Sequence, residues 1–190
     1  MKLDRVLPFS HELMKKVLAP GDIAIDATCG NGHDTSYLAN LVGKSGHVYG
    51  FDIQKEAIDS TAAKLEEESM QDRVTLHETS HANALQHIPE EEHKKIRGAI
   101  FNLGFLPGSD KTVVTTPDQT ITAIDNILAV MEKGGVVVLV IYHGHEGGRE
   151  EKDHVIEYAS HLDQRSVHVL RYQFINQKNN APFVLALEKA

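Results

Sequence analysis

The chain has 190 residues, a formal net charge of -8 and 41% hydrophobic residues, enough for one well-buried domain, taken as residues 1–190. The acidic balance argues against broad non-specific affinity for nucleic acid and leaves a local basic patch as the route to an RNA. A single cysteine, Cys29, excludes an intramolecular disulfide framework and a cysteine-based zinc site, and the lack of a secretory signal or membrane-length apolar run points to the cytoplasm, with no membrane partner.

Residues 1–20 hold a short helix expected to pack on a sheet. Ser10 is its expected N-cap, Leu13, Met14, Val17 and Leu18 its apolar stripe, and Pro20-Gly21 its end. Lys2, Arg5, Lys15 and Lys16 make this end locally basic, as a solvated face or as an RNA-facing patch. A strand over 22–27 then runs into a glycine turn, Thr28-Cys29-Gly30-Asn31-Gly32, and a helix through 34–41. Gly30 and Gly32 let the backbone turn sharply and approach a ligand closely. The turn would deliver that ligand to a strand's carboxyl end and a helix N-terminus. Dinucleotide-binding turns carry a third glycine and hold pyrophosphate. Here Thr35 takes the third place and Asp26 precedes the turn. A carboxylate there repels pyrophosphate and suits a cationic or amine-bearing ligand. The next strand, 47–53, ends in Asp52, at about the 20-residue spacing of an acid that takes a ribose hydroxyl pair. Asp52 equally suits the N-cap of the helix that follows.

The stretch from Asp26 to Thr35 resembles motif I of class I S-adenosylmethionine (SAM) methyltransferases, and Gly50-Phe51-Asp52-Ile53 resembles their motif II. The resemblance implies SAM as cofactor. Its contacts would come from Asp26, Thr28, Gly30, Asn31, Gly32, His33, Asp34 and Thr35 around the turn, and from Asp52, Ile53 and Gln54 at the second strand end.

The helix over 54–68 is expected to turn Ile58, Ala62 and Leu65 inward. A strand over 73–78 leads to a loop that, in the methyltransferase pattern, reaches the adenine. Ser80, His81 or Asn83 would bond its edge there, although such residues also simply cap turns. The strand over 96–101 runs into Asn102-Leu103-Gly104-Phe105-Leu106-Pro107-Gly108-Ser109-Asp110. Its first four residues resemble motif IV of amino-directed methyltransferases, Asn/Asp-Pro-Pro-Tyr/Phe, keeping the Asn and the aromatic but neither proline. A nitrogen nucleophile must aim its lone pair at the methyl group. An Asn oxygen and a backbone carbonyl can accept its N–H hydrogens and fix that direction. Asn102, Leu103 and Gly104 would also border the cofactor, and Phe105 either stacks on a base or enters the core. Lys111 is a candidate phosphate contact.

Thr116-Pro117-Asp118-Gln119 is a helix start, with Ile121, Ile124, Leu128 and Met131 inward and Lys133-Gly134-Gly135 as the stop. The strand over 136–142 is apolar throughout, as a central parallel strand is. At its end Tyr142-His143-Gly144-His145 and a glycine-rich loop to Arg149 suggest a substrate lid or proton acceptor, with His145 and Arg149 as substrate contacts. A His-x-His metal pair and a structural loop are the rival readings, and no metal is expected. A helix over 151–162, with Val155, Ala159 and Leu162 inward, precedes strands over 166–175 and 182–188 that read as a hairpin. The expected fold is therefore α/β: a Rossmann-like class I methyltransferase with a seven-stranded, mostly parallel sheet, helices on both faces and a C-terminal antiparallel hairpin.

The quoted motifs, with Tyr142-His143-Gly144-His145, are together similar over nearly the whole chain to one small bacterial family. These are the tRNA 5-aminomethyl-2-thiouridine methyltransferases of Gram-positive bacteria (MnmM type), long labelled rRNA methylases. The resemblance implies methyl transfer from SAM to the aminomethyl nitrogen of a modified wobble uridine, and hence tRNA, at its anticodon region, as partner. Residue types agree with a nitrogen target. Pyrimidine C5 methylation usually needs a catalytic cysteine, and the only one lies in motif I. Ribose 2'-O methylation in this fold typically uses a Lys-Asp-Lys-Glu set, and no lysine ends the strands over 22–27 or 96–101. An aliphatic ammonium must first lose a proton, so Asn102 is expected to orient the amine while Tyr142 or His143 helps the proton leave. The alternatives are an rRNA or small-molecule amine N-methyltransferase on the same fold, or a non-catalytic SAM- or RNA-binding module. With so little positive charge, RNA recruitment across a homodimer is a further expectation.

Overall fold

Strand β5 (Val136–Ile141) is apolar and buried at every position, and its side chains feed both faces of the sheet. Val136, Val138 and Val140 enter one core with Met14, Leu18, Leu38 and Val184. Val137, Leu139 and Ile141 enter the other with Phe101, Ile124, Val155 and Phe183. A strand covered on both sides has no polar face, which is why it carries no alternation in sequence. Each fully buried Leu, Ile or Phe of this kind contributes about 1.5–3 kcal/mol. The computed structural model describes residues 2–104, 115–145 and 147–190. The expectations for Phe105 and Lys111 therefore lie outside the described residues.

The remaining strands are β1 (Ile23–Asp26), β2 (His47–Asp52), β3 (Val74–Glu78), β4 (Ile96–Leu103), β6 (Val167–Tyr172) and β7 (Phe183–Lys189). They form one seven-stranded sheet in the order β3-β2-β1-β4-β5-β7-β6. The first five are mutually parallel, and β7 runs antiparallel to both β5 and β6. This is the expected mostly parallel sheet with its C-terminal hairpin. The strand order reverses between β1 and β4, and in an open α/β sheet the crevice at that reversal takes the ligand.

Helices α1 (Val6–Val17), α2 (His33–Val42), α3 (Lys55–Glu67), α4 (Glu90–His93), α5 (Pro117–Val130) and α6 (Gly148–His161) surround the sheet. Helix α1 lies over β4, β5 and β7, where Met14 and Leu18 meet the valines of β5. The N-cap is Arg5, not Ser10. The helix begins earlier than expected because Pro8 falls in its first turn, where no backbone N–H is needed. Ser10 is buried inside it and donates its hydroxyl to the Leu7 carbonyl at 2.7 Å. Helix α3 buries Ala57, Thr61 and Leu65. Ile58 is only half-buried and Ala62 is exposed, so the inward row runs one residue earlier than hydrophobicity suggested. Thr61 decides it by packing against the glycine turn. Thr116 stands at the N-cap of α5 with Pro117 first in the helix, but its side chain makes no capping bond. Among the described residues no helix is long and apolar enough to cross a membrane.

Candidate active site

The turn after β1 is built by two glycines in the left-handed region, Gly30 (φ 53°) and Gly32 (φ 77°). It is tied to β2 by bonds from the Cys29 N–H to the Phe51 carbonyl (3.0 Å) and from the Gly30 N–H to Asp52 Oδ2 (3.1 Å). Gly50 is needed for this closeness, since a Cβ there would sit 2.7 Å from Cys29 Sγ. The turn is joined to β4 by the Thr28 hydroxyl, which accepts from the Asn102 N–H at 2.7 Å.

Above these strand ends lies a cavity of about 380 Å³, within the range of small-molecule and cofactor sites. The turn supplies Thr28, Gly30, Asn31, His33 and Asp34 to its wall. The β2 end supplies Asp52, Ile53 and Gln54, and the β3 end supplies Thr79 and His81. Asn102, Gly104 and Tyr142 close the β4 and β5 side. Residues that the sequence reading did not single out for the site also reach it, among them Thr79, Leu7 from α1, Thr115 just before α5 and Gln119 in its first turn.

Several expected contacts are placed elsewhere. Asp26 is fully buried beneath the cavity. Its oxygens accept from the Thr28 N–H (3.1 Å) and the Thr35 hydroxyl (2.6 Å), so Asp26 and Thr35 brace the turn from below rather than face a ligand. Gly32 is not on the wall; a Cβ there would lie 3.0 Å from Thr61 Cα. Ser80 caps the short 3-10 turn that follows, accepting from the Ala82 N–H at 3.2 Å. Leu103 is buried in the core. His143 is turned away, with Nε2 3.2 Å from the Ala181 carbonyl and its ring against Phe183. The His145 ring packs against Gly148 and Arg149 is exposed on the first turn of α6, neither on the wall. The sequence pattern put these residues at the right strand end, but local packing chose which side chains turn inward.

The wall is acidic. Burial, the nearby Asp34 and, more weakly, Asp52 push Asp26 up to about 7, against the bonds from Thr35 and Thr28. Burial also raises Asp52, opposed by the N–H groups of Gln54 and Gly30. Each Asp52 oxygen accepts one of those bonds (3.0 Å from Gln54, 3.1 Å from Gly30). The second lone pair on each remains for a hydroxyl pair. Burial keeps His81 neutral. Its Nδ1 lies 3.0 Å from the Ala27 carbonyl and so must carry the proton, leaving Nε2 a bare acceptor. That Nε2 is buried and has no hydrogen-bond partner among the described residues. Burial and Asp34 raise Tyr142 above its ordinary value, so it stands as a phenol and not as a base.

Asn102 sits at the reversal of strand order. Its Nδ2 donates to Asp34 Oδ2 at 2.5 Å. A carboxylate only accepts, so the amide nitrogen must face it. The carbonyl Oδ1 is thereby left as the acceptor of a residue that lines the cavity. The second Asp34 oxygen is 2.6 Å from His11 Nε2. This contact reaches across 23 residues to the N-terminal helix, and only tertiary structure reveals it. Among the described residues no group of three or more His, Cys, Asp or Glu side chains converges as a metal site.

A family profile described as "Putative rRNA methylase" matches residues 48–188. A chloroplastic protein of Arabidopsis thaliana named tRNA (mnm(5)s(2)U34)-methyltransferase is 36% identical over 176 residues, 88% of this chain. The chain spans only 64% of that relative's length. A putative rRNA-methylase from Clostridium thermocellum superposes with a TM-score of 0.95 at 40% identity, covering 100% of both chains. A putative methyltransferase from Streptococcus mutans, solved in complex with SAH, superposes with a TM-score of 0.89 at 39% identity, covering 99% of each chain.

Proposed function

This chain belongs to the family described as "Putative rRNA methylase", and we propose that it is a SAM-dependent tRNA methyltransferase. Its substrate is the aminomethyl group of wobble 5-aminomethyl-2-thiouridine, and its product is 5-methylaminomethyl-2-thiouridine. The observation that carries this reading is the Asn102 amide, which lines the cavity and is fixed through its nitrogen by Asp34, leaving its oxygen as the acceptor. An acceptor held in that way suits an amine N–H. The name of the Arabidopsis relative supports the wobble position, and with it the anticodon region, as the target.

The cavity residues fit the cofactor. Asp52 offers two acceptor sites for a ribose diol, and His81 borders the cavity at the β3 end. Ile53, 50% exposed at the wall, offers a planar ring an apolar face. The carboxylates Asp52 and Asp34 suit its positive charges. When bound, SAM supplies an activated methyl group on a sulfonium. The chain's part is orientation. Asn102 Oδ1 accepts one N–H of the amine and points its lone pair along the transfer axis, a contribution of positioning rather than of covalent chemistry. The glycine turn and Asp52 hold the cofactor, and the apolar rim of Leu7 and Ile53 limits water.

The test is transfer of tritium from labelled SAM to bulk tRNA from a strain lacking the gene, followed by nucleoside mass analysis. Label in 5-methylaminomethyl-2-thiouridine is expected. Label elsewhere in RNA would move the target, and no label in any RNA would refute the tRNA reading. The net charge of -8 favours one other reading, a small-molecule amine methyltransferase. Failure to bind tRNA at low salt would support it. The homodimer belongs to the same proposal and is tested by light scattering with and without tRNA.

A further inference from the structure

The amine reading leaves a proton without a destination. An alkylammonium holds its proton to about pH 10, and an ammonium has no lone pair with which to attack. The acceptors expected from sequence do not serve. His143 is turned to the Ala181 carbonyl outside the cavity, and Tyr142 stands as a phenol.

The wall carries another group. Asp34 lines the cavity beside Asn102, whose Nδ2 donates to Oδ2 at 2.5 Å. Its Oδ1 is 2.6 Å from His11 Nε2, and the two side chains are 11% and 28% exposed respectively. The imidazole is held in place. It stacks on Tyr37 with centroids 3.9 Å apart and planes 9° from parallel, and the Tyr37 hydroxyl donates to the His11 carbonyl at 3.1 Å. A hydrogen-bonded path thus runs from the cavity wall through a carboxylate to a histidine that reaches solvent.

Resting on the amine-methyltransferase reading, we propose that Asp34 takes the proton of the substrate ammonium and that His11, donating its Nε2–H to Oδ1, positions the carboxylate for that step. The N–H bond breaks and its electron pair stays on nitrogen. The Asp34 carboxylate gains that one proton, and its release to water restores the carboxylate. The freed lone pair forms the new N–C bond while the C–S electrons return to sulfur. Asp34 is the catalytic group, and His11 acts through it as a positioning residue. A positioned acceptor of this kind contributes about 100- to 10,000-fold.

The titratable groups that face the pair come from four elements. Asp26 at the β1 end and Tyr142 after β5 interact electrostatically with Asp34. Tyr37 on α2 stacks on His11 and feels Glu12 of α1. Asp26, pushed up to about 7 by burial and Asp34, changes charge near neutrality and on this reading acts on cofactor affinity. The readout is therefore kcat with SAM and tRNA both saturating, from neutral pH to about pH 9.5. The variants are Asp34→Asn, His11→Gln and His11→Phe, the last keeping a ring on Tyr37.

In His11→Phe and His11→Gln, kcat is expected to fall about 10- to 100-fold at neutral pH. It should converge to within about 3-fold of wild type at about pH 9.5, where solvent supplies free amine. Asp34→Asn should show the same convergence with the larger neutral loss. SAM affinity and melting temperature, measured on each variant, report whether the site is folded. A loss of equal size at every pH marks a merely structural role and overturns the inference, as does His11→Phe with wild-type kcat at neutral pH. A wild-type protein inert toward the tRNA at every pH instead overturns the amine reading, and this inference with it.

Discussion

Replacing Asn102 by Ala removes two things at once, the Oδ1 acceptor at the cavity and the 2.5 Å bond from Nδ2 to Asp34. The acceptor is the one the proposed mechanism needs. A hydrogen bond to a group that becomes charged in the transition state is worth about 1.5–3 kcal/mol. At about 1.4 kcal/mol per tenfold in rate, kcat should fall roughly 10- to 150-fold. Asp34 keeps His11 as a partner, so the stability cost is about 1 kcal/mol, a shift of about 2–4 °C in melting temperature. SAM affinity should change by less than about 3-fold, since the glycine turn and Asp52 are untouched. The assay is single-turnover methyl transfer to tRNA bearing 5-aminomethyl-2-thiouridine, with calorimetric titration of SAM beside it. Asn102→Asp is the sharper companion: it sets a second carboxylate against Asp34, and turnover should fall further. Wild-type turnover in Asn102→Ala at unchanged SAM affinity would refute the orienting role.

Three other outcomes follow from the same geometry. Asp52→Ala deletes both acceptors offered to the ribose, so SAM should bind about 10- to 100-fold more weakly, while kcat at saturating SAM stays within about 3-fold; a large kcat loss with unchanged affinity would contradict this. Asp26 rises from an ordinary 3.8 to about 7 on folding. Its contribution to stability is therefore whole below about pH 4 and lost as pH climbs through about 7. Ionised Asp26 adds negative charge beneath a cationic ligand, so SAM should bind about 3- to 10-fold tighter at about pH 8 than at about pH 6; a flat or reversed calorimetric profile would count against the assignment. Gly50→Ala would drive a Cβ to 2.7 Å from both Cys29 Sγ and Leu76 Cδ2. Overpacking of this kind costs about 1–3 kcal/mol, read as a loss of roughly 3–10 °C in thermal unfolding; an unchanged melting temperature would show that the turn can yield.

The fold was legible because parallel strands announce themselves. The run Val136 to Ile141 has no polar side to hide, and the glycine turn with Asp52 fixes which strand ends meet. Their hydrogen bonds join residues only 22 apart, Gly30 and Asp52, through one βαβ unit. What stayed illegible depended on which way a side chain turned. Asp26 and Asp34 look alike in sequence, yet Asp26 is swallowed by Thr28 and Thr35 while Asp34 faces the cavity. His143 and Tyr142 are neighbours on a strand-end loop, where adjacent side chains point to opposite sides. His143 found the Ala181 carbonyl. His11 carried no motif at all. It is one of 12 histidines, distinguished only by where α1 crosses the sheet. A hydrophobic stripe predicts that a helix will pack, not which neighbours its polar edge will meet.

The charge balance, which argues against broad non-specific affinity for nucleic acid, fits the proposed chemistry once charge is read by place. Asp34 and Asp52 line one cavity, and Asp26 lies buried beneath it, close enough to feel both. A phosphate would be repelled there, whereas a sulfonium and an ammonium together supply the positive charge the floor lacks. The acidic cavity thus selects the base end of a nucleotide over its backbone. On the proposed tRNA reading, the cations that would meet the backbone lie outside the cavity lining. Arg5, Lys15 and Lys16 are exposed on or just before α1, the helix that also brings Leu7 and His11 to the site. One helix thus carries exposed cations on one side and, on another, the histidine bonded to Asp34. A net acidic chain can act on RNA where only a few cations need to meet phosphate.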